Sequence, residues 1–239
     1  MAEPLLSLRN VTAGYGDAVV LHDVSLDVPE HGSLAVLGRN GVGKSTLLLT
    51  IMGYTQLRGG ELFWRGQSIS RLPPHRRATA GIGWVAQERE IFPSLSVEEN
   101  LTVAARPGAW TLETIYKLFP RLSERKRNMG NQLSGGEQQM LAVARALMTN
   151  PALMLLDEPF EGLAPVIVDE LAAAMKTMLA GHSIAVVLVE QHTDIALELT
   201  AEAIVLERGA VAHRAPARDL QKDIATLERL VGLRVAANA

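Results

Sequence analysis

A glycine-rich segment, GRNGVGKST, runs from Gly38 to Thr46 and closes on a lysine and two hydroxyl residues. Gly38, Gly43, Lys44 and Ser45 fit the pattern G-x-x-x-x-G-K-[ST], in which glycines let backbone N–H groups close around phosphates. The lysine neutralises the β and γ oxygens, and the serine hydroxyl can ligate Mg²⁺. The segment therefore predicts a nucleoside triphosphate site; the alternative is an incidental turn between a strand and a helix.

A second anion-binding helix start is indicated by LSGGE, Leu133 to Glu137. Ser134 is followed by Gly135 and Gly136 and then by a helical pattern. Such a sequence presents bare backbone N–H groups at a helix N-terminus, where the helix dipole adds to the attraction for an anion. This segment contains no lysine, so the source of its positive charge has to be found elsewhere.

Two adjacent acids, Asp157 and Glu158, follow the apolar run LMLL. A buried strand of this kind delivers its last residues to the carboxyl edge of a parallel sheet, where α/β proteins bind ligands. We expect Asp157 to hold Mg²⁺, directly or through water, and Glu158 to orient and deprotonate an attacking water. Two such acids suit hydrolysis better than nucleotide storage; the alternative is that they cap a helix.

The composition is that of an ordinary globular protein. Of 239 residues, 48% are hydrophobic and 21% charged, and the net charge of −3 does not favour nucleic acid as the main partner. The absence of cysteine excludes disulfides and thiolate metal sites. No apolar run reaches the ~20 residues that a membrane span needs. We therefore expect a soluble protein that reaches a membrane only through a partner.

Strand and helix patterns alternate along most of the chain, which predicts an α/β fold with a parallel sheet. An N-terminal β region (LLSLRNV, VSLDV) precedes the short strands SLAVLG, IGWVAQ, ALMLLDEP, SIAVVLVEQ and AIVLERG. A helix is predicted at LLLTIMG, with Gly53 as its C-cap. A second helix is predicted to begin at Ser96, which has capping-box spacing to Glu99. A third is predicted at WTLETIYKLF and ends at Pro120. We expect one domain, with a nucleotide-binding core over 1–87 and 151–215, a helical lobe over 88–150 and a closing helix over 216–239.

The order of these motifs resembles that of the ATP-binding cassette (ABC) ATPases. The resemblance rests on GRNGVGKST, Gln87 after a strand, LSGGEQQ, LMLLDEP and VEQH, and covers essentially the whole chain. It implies a P-loop NTPase (RecA-like) core with an N-terminal antiparallel β subdomain and an inserted helical lobe. It also implies ATP and Mg²⁺ as ligands, and two cassettes, identical or not, facing head to tail around two nucleotides. Ser134, Gly135 and Gly136 would then serve the γ-phosphate held by the other subunit, whose Lys44 supplies the charge.

Further roles come from this resemblance. Tyr15, in AGYGD, matches an aromatic that stacks on adenine; the alternative is a turn tyrosine packed on the core. Gln87 matches a glutamine that reaches Mg²⁺ and the water; the alternative is a surface glutamine at a strand end. The implied metal ligands are Ser45, Gln87 and Asp157. The implied nucleotide-binding residues are Tyr15, Gly38, Asn40, Gly41, Gly43, Lys44, Ser45, Thr46, Gln87, Ser134, Gly135 and Gly136.

Two positions depart from the family's pattern. Where the family has a histidine that contacts the γ-phosphate, VVLVEQHTD places Gln191, with His192 one residue later. We favour Gln191, because a shift of one residue turns a side chain to the other side of a strand, and keep His192 as the alternative; both are candidate catalytic residues beside Glu158. The loop after Glu158 has Ala164 where the family usually has aspartate, which puts communication between the two sites in doubt.

Within the family, EQQMLAVARALM, LLDEPFEGLAP and LVEQ resemble the ATP-binding subunits of bacterial importers for branched-chain amino acids. This implies a second ATPase subunit, two transmembrane permease subunits and, indirectly, a periplasmic substrate-binding protein. This chain would then lie at the cytoplasmic face of the inner membrane as a peripheral subunit. We expect Ile91, Phe92 and Pro93 to form the permease-docking surface; the alternative is a small core cluster. Other readings are a urea, amide or other amino-acid importer, a weakly hydrolysing regulatory cassette, or a nucleotide-gated clamp on DNA or ribosomes.

Overall fold

A computed structural model describes residues 3–181 and 184–223 of the chain. These residues form two compact units. The first contains the described residues up to Ala80 together with those from Ala185 onward, and the second spans Gly81–Ile184.

In the first unit, strands and helices alternate after an N-terminal β region. In chain order its elements are β1 (Leu6–Tyr15), β2 (Ala18–Val28), β3 (Ser33–Leu37), α1 (Lys44–Met52), β4 (Gln56–Trp64), β5 (Gln67–Ser68), α2 (Pro74–Thr79), β8 (Ala185–Val189), α8 (Thr193–Leu199), β9 (Glu202–Glu207), β10 (Ala210–Pro216) and α9 (Ala217–Lys222). The helix α9 lies in the segment 216–239, where we predicted a closing helix, and residues 224–239 lie outside the described part.

Two kinds of sheet are built in this unit. The antiparallel one has the order β2-β1-β4-β5, and Leu6 on β1 lies between Val28 and Trp64, all three buried. In the other, β3 pairs in parallel with both β8 and β9, and β10 pairs antiparallel to β9. The strands β3 and β8 are almost entirely buried, as expected of apolar strands in a parallel sheet covered on both faces. The predicted antiparallel subdomain and parallel core are therefore confirmed.

The helix α1 is fixed at both ends by glycines in the left-handed conformation. Gly43 is its N-cap and Gly53, as predicted, its C-cap, with φ angles of 108° and 86°. At the C-terminal end the buried guanidinium of Arg77 donates to the carbonyl oxygens of Thr50 and Ile51 at 2.9 and 2.8 Å. Burial lowers the pKa of Arg77, and a cation at this end of the helix complements its dipole.

The second unit combines two parallel strands with the helical lobe. Its elements are β6 (Ile82–Val85), α3 (Val97–Thr102), α4 (Leu112–Leu118), α5 (Pro120–Glu124), α6 (Gly135–Leu147), β7 (Leu153–Asp157) and α7 (Pro165–Gly181). The capping box between Ser96 and Glu99 is present at the start of α3. Pro120 follows the end of α4 and is the first residue of α5, a position where its missing N–H costs nothing.

The turn between β9 and β10 supports the glycine-rich loop. Gly209 in this turn donates its N–H to the carbonyl oxygen of Val42 at 2.9 Å, and its own carbonyl accepts from the N–H of His22 at 2.8 Å. A Cβ on Gly209 would lie 1.8 Å from the carbonyl oxygen of Val20, and the residue has a φ of 79°. Only glycine fits between the loop and β2 at this point.

Replacing this glycine should therefore destabilise the first unit. We expect Gly209→Ala to lower the melting temperature and the free energy of unfolding by more than the ~1–2 kcal/mol of a left-handed non-glycine residue alone. The matched control is Gly16→Ala, since Gly16 also has a positive φ, 50°, but no heavy atom other than those of its two chain neighbours lies within 4 Å of its would-be Cβ. Equal losses in urea and thermal unfolding for both variants would show that the contact with Val20 does not matter.

Candidate nucleotide-binding site

The glycine-rich loop joins β3 to α1 and contains three residues with positive φ. Gly38, Gly41 and Gly43 have φ angles of 145°, 78° and 108°. A Cβ on Gly38 would lie 2.6 Å from the carbonyl oxygen of Leu206 on β9, so space as well as backbone conformation requires glycine there. Loops of this kind form concave nests of N–H groups that bind phosphate. The exposed residues Asn40 and Gly41 lie within the loop.

Lys44 is the first residue of α1 and is only 4% exposed. Its ammonium group donates to the carbonyl oxygens of Gly38 and Arg39 at 3.1 and 3.3 Å. These bonds hold the charge against the loop backbone, so one phosphate would meet both the ammonium group and the N–H groups of the loop. Ser45 and Thr46 follow in the first turn of α1 and are half-buried.

Tyr15 is the last residue of β1, paired with Ala18 across the β1–β2 turn. Its side chain is 43% exposed. The alternative reading, a tyrosine packed on the core, is therefore not supported, and stacking on adenine stays a prediction.

A buried carboxylate organises the backbone of both γ-phosphate candidates. Glu190 follows β8, is 1% exposed, and accepts the N–H groups of Gln191 at 3.0 Å and His192 at 3.2 Å. Gln191 is half-buried, whereas His192 is exposed and is the N-cap of α8. Sequence reasoning missed Glu190, although a carboxylate directly after an apolar strand was visible. The choice between Gln191 and His192 stays open.

In the second unit the carboxyl ends of two parallel strands bring Gln87 to Glu158. Val85 on β6 lies beside Leu156 on β7. The Gln87 side-chain amide donates to Oε2 of Glu158 at 3.4 Å and also to Glu161. Asp157 ends β7, and Asp157 and Glu158 are 4% and 7% exposed. Glu158 has a φ of 46°, a left-handed conformation that is uncommon for a glutamate and often found at functional sites.

The predicted second helix start is present at α6. Ser134 is its N-cap, and its N–H donates to the Glu137 carboxylate at 2.8 Å, while the N–H of Glu137 donates to Oγ of Ser134 at 3.3 Å. Burial alone would raise the pKa of Glu137, but these bonds to Ser134 and the nearby Arg125 outweigh it, so the pKa is lowered. N–H groups in the first turn of an α-helix have no acceptor within the helix, so those of Gly135 and Gly136 can face an anion.

The structure distributes the predicted residues over both units. The first unit holds Tyr15, the glycine-rich loop with Lys44, Ser45 and Thr46, and Gln191 and His192, whereas the second holds Gln87, Ser134, Gly135, Gly136, Asp157 and Glu158. Each unit thus contains one glycine-rich helix start and one group of polar side chains at strand ends.

Comparison with known proteins identifies the family to which a chain with this arrangement belongs. The model of the ABC transporter family matches residues 21–161. This chain belongs to the ABC transporter ATPases. As a member of this family it is an ATP-hydrolysing cassette, and the predicted fold class is confirmed. Among the described residues of this cassette, no helix is long and apolar enough to cross a membrane.

Individual relatives cover most of the cassette. It is 40% identical over 215 residues to BraG, a high-affinity branched-chain amino acid transport ATP-binding protein of Pseudomonas aeruginosa, spanning 87% of this chain and 91% of BraG. It is 35% identical over 221 residues to a probable LivF of Archaeoglobus fulgidus, spanning 90% and 94%. A solved dimer of an ATP-binding cassette in a post-hydrolysis state with ADP and Pi is similar with a TM-score of 0.77 and 26% identity, over 89% of this chain and 99% of that one.

Gly135 and Gly136, the two glycines of the segment Leu133–Glu137 (the signature segment), should respond differently to a methyl group. A Cβ on the buried Gly136 would lie 2.6 Å from Cγ2 of Ile167 on α7, whereas one on the exposed Gly135 would meet only the end of the flexible Arg89 side chain, at 3.1 Å. We expect Gly136→Ala to lower the free energy of unfolding by about 1–3 kcal/mol. Gly135→Ala should change it by less. Urea unfolding of the two variants checks this, and equal effects would contradict the packing argument.

Proposed function

We propose that this cassette is the ATP-hydrolysing subunit of an importer that takes up branched-chain amino acids across the inner membrane. The observation that supports this cargo class is the 40% identity to BraG over 87% of the chain. Relatives named for spermidine/putrescine import and lipopolysaccharide export are 34% and 32% identical. In this proposal the cargo contacts the permease and a periplasmic binding protein, so the measurement that identifies it is uptake of radiolabelled amino acids by the assembled transporter in proteoliposomes.

Two copies, or this chain and a related one, would share each nucleotide. The loop of one subunit, with Lys44, would hold the triphosphate, and Ser134, Gly135 and Gly136 of the other would contact its γ-phosphate. Similarity to a solved cassette dimer with ADP and Pi supports this pairing. Closure of the pair around ATP and opening after hydrolysis would drive the membrane partner.

Hydrolysis would depend on the acids at the end of β7. By the family resemblance, the Ser45 hydroxyl, the Asp157 carboxylate and the Gln87 amide oxygen would be ligands of Mg²⁺, which prefers oxygen ligands and would neutralise charge on the phosphates. Glu158 would accept the proton of the attacking water. The 3.4 Å hydrogen bond that the Gln87 amide donates to Glu158 would orient the Glu158 carboxylate. Gln191 could donate a hydrogen bond to the γ-phosphate but carries no charge, and His192 stays the alternative.

A variant of the proposed base separates binding from hydrolysis. Glu158→Gln keeps the shape of the side chain but removes its basicity, so we expect ATP binding to persist and steady-state turnover to fall by about 10²-fold or more. Two Glu158→Gln subunits that close around ATP without hydrolysing it should appear as an ATP-dependent dimer in size-exclusion chromatography with light scattering. Glu124→Gln, an exposed position at the end of α5, is the matched control. Turnover by Glu158→Gln at the unaltered rate would remove Glu158 from this role.

The proposed permease-docking surface centres on the aromatic ring of Phe92, which lies on a loop held in place by hydrogen bonds. Phe92 is 45% exposed. The buried Asn100 side chain accepts the Phe92 N–H and donates to the Phe92 carbonyl, both at 2.9 Å. The Arg145 guanidinium lies 4.9 Å from the centre of the ring. With Pro93 exposed and Ile91 half-buried, these residues present an apolar surface rather than a core cluster, which supports docking of a permease.

Loss of this ring should weaken assembly. We expect Phe92→Asp to reduce co-purification with the permease subunits at least tenfold, since a charge would replace a buried apolar contact, while the melting temperature of the isolated cassette changes little. Val103→Asp introduces the same charge at another exposed apolar residue, 56% exposed after α3, and should assemble as the parent does. Undiminished assembly of Phe92→Asp would place the docking surface elsewhere.

A further inference from the structure

An arginine from the loop after β6 lies at the start of α6. A Cβ on Gly135 would be 3.1 Å from Nη1 of Arg89, and Nε of Arg89 donates to Oε1 of Gln139 at 3.1 Å. Gln139 is on the second turn of α6 and is 3% exposed. The guanidinium is therefore held against the signature segment by a buried acceptor.

This placement of the cation is unusual for a helix start. A positive charge at a helix N-terminus opposes the helix dipole, so it is unfavourable until an anion lies between them. The acid in the first turn, Glu137, accepts the N–H of Ser134 and forms an ion pair with Arg125, whose Nε lies 3.4 Å from Oε1 of Glu137. Within the part of the chain that the structure describes, no carboxylate forms an ion pair with Arg89. The positive charge is thus available to an external anion.

The backbone that carries this arginine is held in an uncommon conformation. Arg89 and Glu90 both have left-handed φ angles, 63° and 47°. The Arg145 side chain on α6 donates to the Glu90 carbonyl oxygen at 2.6 Å. Left-handed non-glycine residues persist where surrounding contacts impose them, and they cluster at functional sites. Here the contacts come from α6 itself, near its start through Gln139 and further along through Arg145.

We infer that Arg89 supplies the positive charge of the signature half-site. Its guanidinium contacts the γ-phosphate that a second subunit brings to Ser134, Gly135 and Gly136. The planar fork of an arginine suits two phosphate oxygens at once, and the missing side chain of Gly135 leaves room for it. This inference rests on the paired arrangement proposed above. It replaces the expectation that Lys44 of the opposite subunit provides all of the charge.

The test compares ATP-dependent dimerisation in the Glu158→Gln background, with the monomer's own ATP affinity measured separately. We expect Arg89→Gln to raise the ATP concentration for half-maximal dimerisation by about tenfold to a hundredfold, the range of charge-assisted hydrogen bonds, with ATP affinity of the monomer unchanged. Arg89→Lys keeps the charge but lacks the planar fork of N–H groups, so its ATP concentration for half-maximal dimerisation should lie between those of the parent and Arg89→Gln. Arg125→Gln removes an exposed arginine at the same helix start that already has Glu137 as partner, and should dimerise within twofold of the parent.

The outcomes separate this inference from the proposed function. If Glu158→Gln does not dimerise with ATP, the paired arrangement itself fails. If it dimerises and Arg89→Gln does so at the same ATP concentration, only the role of Arg89 is overturned. Should Arg89→Gln not fold, Gln139→Met carries the test, because it removes the acceptor that orients the guanidinium. A shift of at least threefold is then expected, and an unchanged midpoint overturns the inference.

Discussion

The N–H groups of a first helical turn, which have no acceptor within their own helix, are the constraint on which the rest of this structure depends. Such groups occur at helix starts, and glycine leaves them open to phosphate, but a glycine segment has little packing of its own to hold it. Each start is therefore supported from outside. Gly209 ties the glycine-rich loop to β2 through hydrogen bonds of 2.9 and 2.8 Å. At α6, the capping box of Ser134 and Glu137 and the packing of Gly136 on Ile167 serve the same purpose.

The loop after β6 links the chemistry to the proposed docking surface. Within a few residues it contacts the Glu158 carboxylate through Gln87, α6 through Arg89, and presents the exposed ring of Phe92. The Arg145 guanidinium on α6 contacts the same loop at the Glu90 carbonyl and at the Phe92 ring. A displacement of Phe92 by a partner would therefore reach both the carboxylate of Glu158, the proposed base, and the start of α6 through short, direct contacts rather than through the core.

Local patterns predicted the elements of the fold, and contacts between distant residues lay beyond them. Strand and helix alternation, the Gly53 cap and the motif positions follow from neighbours in sequence, and the structure has them where they were predicted. Gly209 and Arg89 belong to no such pattern, because their importance comes from residues far away in the chain, Val42 and Gln139. Which of Gln191 and His192 contacts the γ-phosphate is undetermined for a different reason. The Glu190 carboxylate accepts the backbone N–H groups of both residues, and this contact does not distinguish their side chains.

The two cations at the helix starts differ in when they would act. Lys44 is buried against the carbonyl oxygens of its own loop, so it would meet a phosphate as soon as ATP binds to a single subunit. Arg89 lies at a helix N-terminus, where its charge is unfavourable before a phosphate arrives and favourable afterwards. An interaction shifts an equilibrium only by the difference between its free energies in the two states. The loop lysine would therefore favour nucleotide binding, whereas Arg89 at the start of α6 would favour closure of the pair.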